Sequence, residues 1–397
     1  MRPSAAKGFT ENPSDKPSTP GGKKDLAVYE AELITTTERL EQLAAQLLHA
    51  EAVAVDTEFF WERSFYPVLG LVQLATGDGA CWLIDTVRVK DIGALGPVLA
   101  APTVTKVLHD APQDLGILVR ATGALPRTVF DTRLAAGFAG FGATCSLQAL
   151  LRQALGIELS KAETRSDWLR RPLSASQLRY AADDVLHLIA LRDTLLATCA
   201  SDTVRGWLRQ DLERLDDPSA YQERDPRLMY LRVKGGARLD ARQLALLREL
   251  AAWREQEARR RDWPRGHVLS DDLLVTLAQR APADRAALAA LPDFPKSMPD
   301  DVVLDLLGAL KHGASIPDHE CPEPSGNTFA AKRALKAESD RLLADIGTAC
   351  KAHAIDPALV ASRADADAYV QQRSCGLDAK HPLASGWRHA LIGALTP

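Results

Sequence analysis

At 397 residues, with 46% hydrophobic and 25% charged side chains, the chain exceeds a single core of about 250 to 300 residues and implies two or three domains of an ordinary globular protein. No run approaches the roughly 18 to 20 uninterrupted apolar residues of a membrane span, and Met1-Arg2-Pro3-Ser4 opens a polar tract instead of an apolar signal core, so a cytoplasmic protein without a membrane partner is expected. The formal net charge of −4 excludes a surface that is cationic all over, but not a local basic groove, because acids clustered at a metal site lower the total.

Residues 1–27 are rich in Pro, Ser, Gly and Lys and cannot bury a core, so a disordered tail over 1–28 is expected. Thr36 or Thr37 then caps a helix with apolar positions at Leu40, Leu43, Ala44, Leu47 and Leu48. The run Val53-Ala54-Val55-Asp56-Thr57-Glu58-Phe59 follows as a strand. Side chains alternate along it, so Asp56 and Glu58 share one face and Val55 and Thr57 the other. Two acids on one face of a buried strand are costly unless a cation neutralises both; the alternative is a strand end fraying into solvent.

Leu71 to Ala75 and Ala80 to Ile84 are strand-like runs joined by Thr76-Gly77-Asp78-Gly79, a hairpin signal, so residues 53–84 read as an antiparallel three-stranded start. Thr105 to Leu108 is the next strand, with helices expected near 111–121, 132–139, 146–155 and 175–199. Such a succession implies a mixed sheet flanked by helices. Asp110 with Gln113 has the capping-box pattern and is expected at the N-cap of its helix, while Asp114, a turn further in, has no such task. Ser174 with Gln177 opens another helix, on which Tyr180 and Asp184 are four residues apart and stack on one face, with Asp183 rotated away. A buried tyrosine bonded to an acid and a catalytic pair both fit that spacing. Between these sites Lys161, Arg165, Trp168 and Arg171 lie in a polar loop whose cations and aromatic ring suit contact with a nucleic-acid strand, or simply a solvated loop.

In the second half, Asp240 and Gln243 cap a long helix reaching about Arg261, and shorter helices are expected near 271–279, 284–290 and 299–311. Arg259, Arg260 and Arg261, near Trp263 and Arg265, suit either phosphate contacts or the dipole at a helix end. A Pro-rich connector precedes a last helical segment opening with a helix over about 329–353. Six cysteines lie far apart without a C-x-x-C, as reduced thiols do. His319, Cys321, Cys350 and His353 have zinc-ligand chemistry, but a Pro-rich connector and a helix read more simply as their ordinary setting.

Four carboxylates and a tyrosine thus occur in the order D-x-E, D, Y-x-x-x-D. With Asp56 to Phe59, Tyr66 to Leu74, Leu108 to Leu115, Thr164 to Trp168 and Tyr180 to Asp184, this order resembles the DEDD exonuclease superfamily in its tyrosine subclass, and within it the bacterial ribonuclease D family. The helical second half is similar to the HRDC domain of that family. The resemblance covers about residues 29–313 and implies a ribonuclease H-like exonuclease domain over 29–215 and an all-α HRDC domain over 216–313; beyond a linker over 314–328, the run Ile355 to Ser362 echoes the pattern after Arg265, so a second HRDC-like bundle is expected over 329–397.

It further implies a catalytic set of Asp56, Glu58, Asp114, Tyr180 and Asp184. The four acids would hold two divalent cations, Mg²⁺ or Mn²⁺, and Phe59, Lys161, Arg165, Trp168, Arg171 and Arg260 would contact RNA. The expected activity is 3′–5′ trimming of precursor tRNA and other small structured RNAs to nucleoside 5′-monophosphates, by a monomer. A DNA exonuclease of the same superfamily, or an RNA-binding scaffold on a decayed nuclease, are the alternatives.

Overall fold

The computed structural model describes residues 31–159, 163, 166–324, 329–374 and 381–393, so the tail expected to be disordered lies outside the described residues. The first part of the chain runs β1 (Glu32–Ile34), α1 (Thr37–Leu47), β2 (Ala52–Phe60), β3 (Val68–Ala75), β4 (Cys81–Asp85), α2 (Gly96–Ala100), β5 (Thr105–Leu108), α3 (Pro112–Thr122), β6 (Val129–Asp131), α4 (Thr132–Phe138), α5 (Leu147–Leu155), α6 (Ala175–Leu186), α7 (Leu188–Thr198) and α8 (Asp202–Glu213). The six strands form one mixed sheet in the order β1-β4-β3-β2-β5-β6. β2, β3 and β4 are the antiparallel meander that the hairpin signal predicts, and β1, β5 and β6 join in parallel. β1 and β6, three residues each, are too short to show a two-residue period and were not expected.

The alternation along β2 separates two cores. Val53 and Val55 pack with Val72, Leu74, Leu40, Leu43 and Leu115, beneath α1, α2 and α3. Ala52 and Ala54 face Leu71, Ala75, Leu83, Ala181, Val185 and Leu191, beneath the later helices. Asp56 and Glu58 continue that second face, where α6 lies across β2, β3 and β4. A bulge between Glu58 and Phe59 leaves Gly70 as the extra residue of β3. A side chain there has no room: a Cβ on Gly70 would sit 2.6 Å from the Trp168 carbonyl oxygen.

Two sequence expectations need correction. The helix expected over 175–199 is two helices, broken at His187 (φ −106°, ψ −2°), beyond which Leu188, Leu191 and Leu195 face the core. Asp110 is not an N-cap: it has φ +64° and pairs with Arg133. The amides at the start of α3 that lack a partner within the helix go instead to Asp131, whose carboxylate accepts from the backbone N–H of Asp110 (3.1 Å) and Ala111 (3.0 Å) and also caps α4.

The helices α9 (Ala241–Arg261), α10 (Arg265–Val268), α11 (Asp271–Arg280), α12 (Arg285–Ala289) and α13 (Asp300–Ser315) close a core of their own. They dock on the sheet domain through Asp262, which accepts from the N–H groups of Phe65 (3.0 Å) and Tyr66 (2.9 Å). The last helices, α14 (Phe329–His353), α15 (Arg363–Ser374) and α16 (Gly386–Gly393), bury Ile346, Cys350, Tyr369, Trp387 and Leu391 in the core of the sheet domain, against α4 and α8. Trp387 stacks on Trp207 at 5.3 Å and meets Phe138 edge-on. Among the described residues no helix is long and apolar enough to cross a membrane.

Candidate active site

Asp56 and Glu58 project from β2 toward Asp184 on α6, and one carboxylate oxygen from each lies within 4.8 Å of the others. The start of α6 is held by a complete capping box, in which Ser174 accepts from the Gln177 N–H and the Gln177 side chain accepts from the Ser174 N–H. Tyr180, one turn before Asp184, hydrogen-bonds to that carboxylate. Asp184, not Asp183, therefore joins the cluster.

Without a cation this cluster holds protons. Burial, reinforced by Asp114, Asp184 and Glu58, pushes Asp56 well above the carboxylate range. Burial, with the charges of Asp184 and Asp114, raises Glu58 to about 8. Burial raises Asp184 to about 7 against the opposing hydrogen bond from Tyr180. The Tyr180 hydroxyl is itself driven far above its ordinary value by burial and the surrounding acids. These clustered carboxylates are hard oxygen donors, which suit Mg²⁺ or Mn²⁺.

Asp114 approaches the cluster from the face of the sheet that Thr57 occupies. It is buried on α3, and Thr57 donates to its Oδ1. Burial raises it to about 6, with that hydrogen bond opposing, and its charge is felt by both Asp56 and Glu58. Its oxygens are not among those gathered within 4.8 Å. Thr57 is a residue that the sequence reading leaves as a core-facing strand position; a hydroxyl between two strand acids was the available signal.

The expected RNA contacts fare differently. Trp168 is 2% exposed, packed on Gly70 with its ring 6.0 Å from Tyr180, so it is a floor for the site and not a stacking platform. Arg171 is likewise spent internally: it donates to Asp85 (2.8 Å) and to the carbonyls of Trp168 (2.7 Å), Arg170 (2.9 Å) and Gly70 (2.7 Å), pinning the loop to the sheet. Lys161 and Arg165 lie outside the described residues. Phe59 is half-buried just past the bulge, beside Glu58. Arg260 is exposed but forked onto Glu257 at 2.8 Å, and it faces Asp301 and Asp305.

Comparison with known proteins points the same way. A family model described as 3′-5′ exonuclease matches residues 31–199, and the HRDC domain model matches residues 243–310. Ribonuclease D of Desulfotalea psychrophila is 37% identical over 360 residues, 91% of this chain and 96% of that protein. Ribonuclease D of Pseudomonas paraeruginosa is 44% identical over 273 residues, 68% of this chain and 71% of that one. The crystal structure of Escherichia coli RNase D, an exoribonuclease involved in structured RNA processing, superposes with a TM-score of 0.79 at 30% identity, covering 92% of this chain and 97% of that one.

Proposed function

The chain belongs to the ribonuclease D family of 3′–5′ exoribonucleases, and from that premise we propose that it trims the single-stranded 3′ ends of precursor tRNA and other small structured RNAs, releasing nucleoside 5′-monophosphates. The observation that carries this reading is the convergence of Asp56, Glu58 and Asp184 within 4.8 Å, with the Glu58 and Asp184 carboxyls raised by burial. Asp56, Glu58, Asp184 and Asp114 would hold two divalent cations, Mg²⁺ or Mn²⁺. When bound, two such cations supply charge stabilisation for in-line attack of water at phosphorus and for the departing 3′ oxygen.

The remaining steps fall to the chain. Tyr180 holds its proton too tightly to be a general base at neutral pH, so its hydroxyl orients the attacking water. Trp168 and Arg171 keep the floor beneath it rigid. We assign the catalytic domain to 29–215, the HRDC domain to 216–313, a linker to 314–328 and a second HRDC-like helical domain to 329–397, whose buried side chains share the catalytic domain's core. The helical domains grip the folded part of the RNA while the cleft takes the 3′ end, in a cytoplasmic monomer.

The test uses 5′-labelled RNA with a single-stranded 3′ tail, its DNA counterpart, Mg²⁺ or EDTA, and Asp56→Ala. A Mg²⁺-dependent ladder from the 3′ end of RNA, slower on DNA and absent in the variant, is expected. Preference for DNA, or binding without cleavage in either metal, overturns the reading.

A further inference from the structure

Gln73 lies directly opposite Asp56 in the β2–β3 register and is fully buried, yet neither its amide nitrogen nor its amide oxygen has a hydrogen-bond partner. Its neighbours on the same face are apolar: Leu71 and Ala75 along β3 and Leu83 across on β4. Asp56 is the side chain directly opposite it, and directly opposed residues of an antiparallel pair have Cβ atoms only about 4.5 to 5.5 Å apart. A buried amide with both ends unsatisfied is a loss to the fold, and an apolar side chain of the same size would avoid it.

We propose that Gln73 is a positioning residue for the cation-loaded site, donating from Nε2 to the Asp56 carboxylate and fixing its orientation toward the metals. The inference rests on the two-cation reading given above. An amide suits the task chemically. A lysine or arginine opposite Asp56 would compete with the cations, another carboxylate would repel Asp56, and a serine would be too short. The amide alone among these offers a donor with reach and no charge.

The experiment compares wild type, Gln73→Met and Asp56→Ala by melting in EDTA, Mn²⁺ titration calorimetry and steady-state kinetics on tailed RNA. Gln73→Met should melt in EDTA at or above the wild-type temperature, bind Mn²⁺ about 10- to 100-fold more weakly, and lose kcat at unchanged KM, as outer-sphere partners of metal ligands do. A lower melting temperature in EDTA would show that the amide has a structural task and overturn the inference. Equal Mn²⁺ affinity for wild type and Gln73→Met, with loss in Asp56→Ala, overturns it alone. Equal Mn²⁺ binding by wild type and Asp56→Ala removes the cation assignment and this inference together.

Discussion

The hydroxyl of Thr57 donates to the carboxylate of Asp114, joining β2 to the helix on the face of the sheet that Thr57 occupies. The bond favours the charged form of Asp114 and opposes the burial that raises it to about 6. Thr57→Val should therefore move Asp114 further up and shift the acid limb of kcat/KM to higher pH, with roughly tenfold lower activity at pH 6, the size of a hydrogen bond to a charged group. A pH–rate profile identical to wild type would remove Thr57 from the site.

Cation binding should depend steeply on pH. Glu58 near 8 and Asp184 near 7 must shed protons before they can act as ligands, so Mn²⁺ affinity should rise between pH 6 and 8.5 with measurable proton release. The apo fold responds in the opposite direction. Glu58 is raised from an ordinary 4.5 to about 8, so the folded state holds a proton that the unfolded chain has lost. That contribution to stability is present below pH 4.5 and is lost as pH climbs toward 8, so Mn²⁺ should raise the melting temperature more at pH 8 than at pH 6. Calorimetry in buffers of different ionisation enthalpy measures the protons.

Tyr180→Phe removes the hydroxyl that bonds to Asp184 while leaving the ring on Trp168. Turnover should fall by about 10², the cost of misplacing a reacting group, with Mn²⁺ binding retained. Equal turnover would end the assignment.

Gly70→Ala tests the floor of the site. The added carbon meets the Trp168 carbonyl at 2.6 Å, so the loop pinned by Arg171 must move, at a cost of about 1 to 3 kcal/mol for overpacking. Urea unfolding should show that loss, accompanied by reduced kcat through the displaced Trp168–Tyr180 contact.

Asp211 holds the C-terminal helices to the catalytic domain. It is buried and accepts from Trp387 Nε1 (3.0 Å) and twice from the Arg388 guanidinium (2.7 Å each). Asp211→Ala removes both carboxylate hydrogen bonds of the half-buried Arg388 guanidinium, so a loss of about 3 kcal/mol is expected in urea unfolding. A loss below ~1 kcal/mol would mean that the aromatic stack of Trp387 and Trp207 carries the docking.

Local rules made much of this protein legible. The two-residue period placed Asp56 and Glu58 on one face of β2, the four-residue spacing placed Tyr180 beside Asp184, and capping boxes marked the starts of α6 and α9, because each depends only on a residue and its near neighbours in the chain. Burial does not. Trp168 and Arg171 lie in a polar loop and read as surface groups, and only the fold, by laying that loop over Gly70 and Asp85, turned them inward. Likewise the capping of α3 by Asp131 and not Asp110, the approach of Asp114 from the face that Thr57 occupies, the isolation of Gln73 opposite Asp56 and the merging of the last helices with the first core were decided in three dimensions. Each depends on which distant segments meet, and the pairing of strands and faces settles that where local propensity is silent.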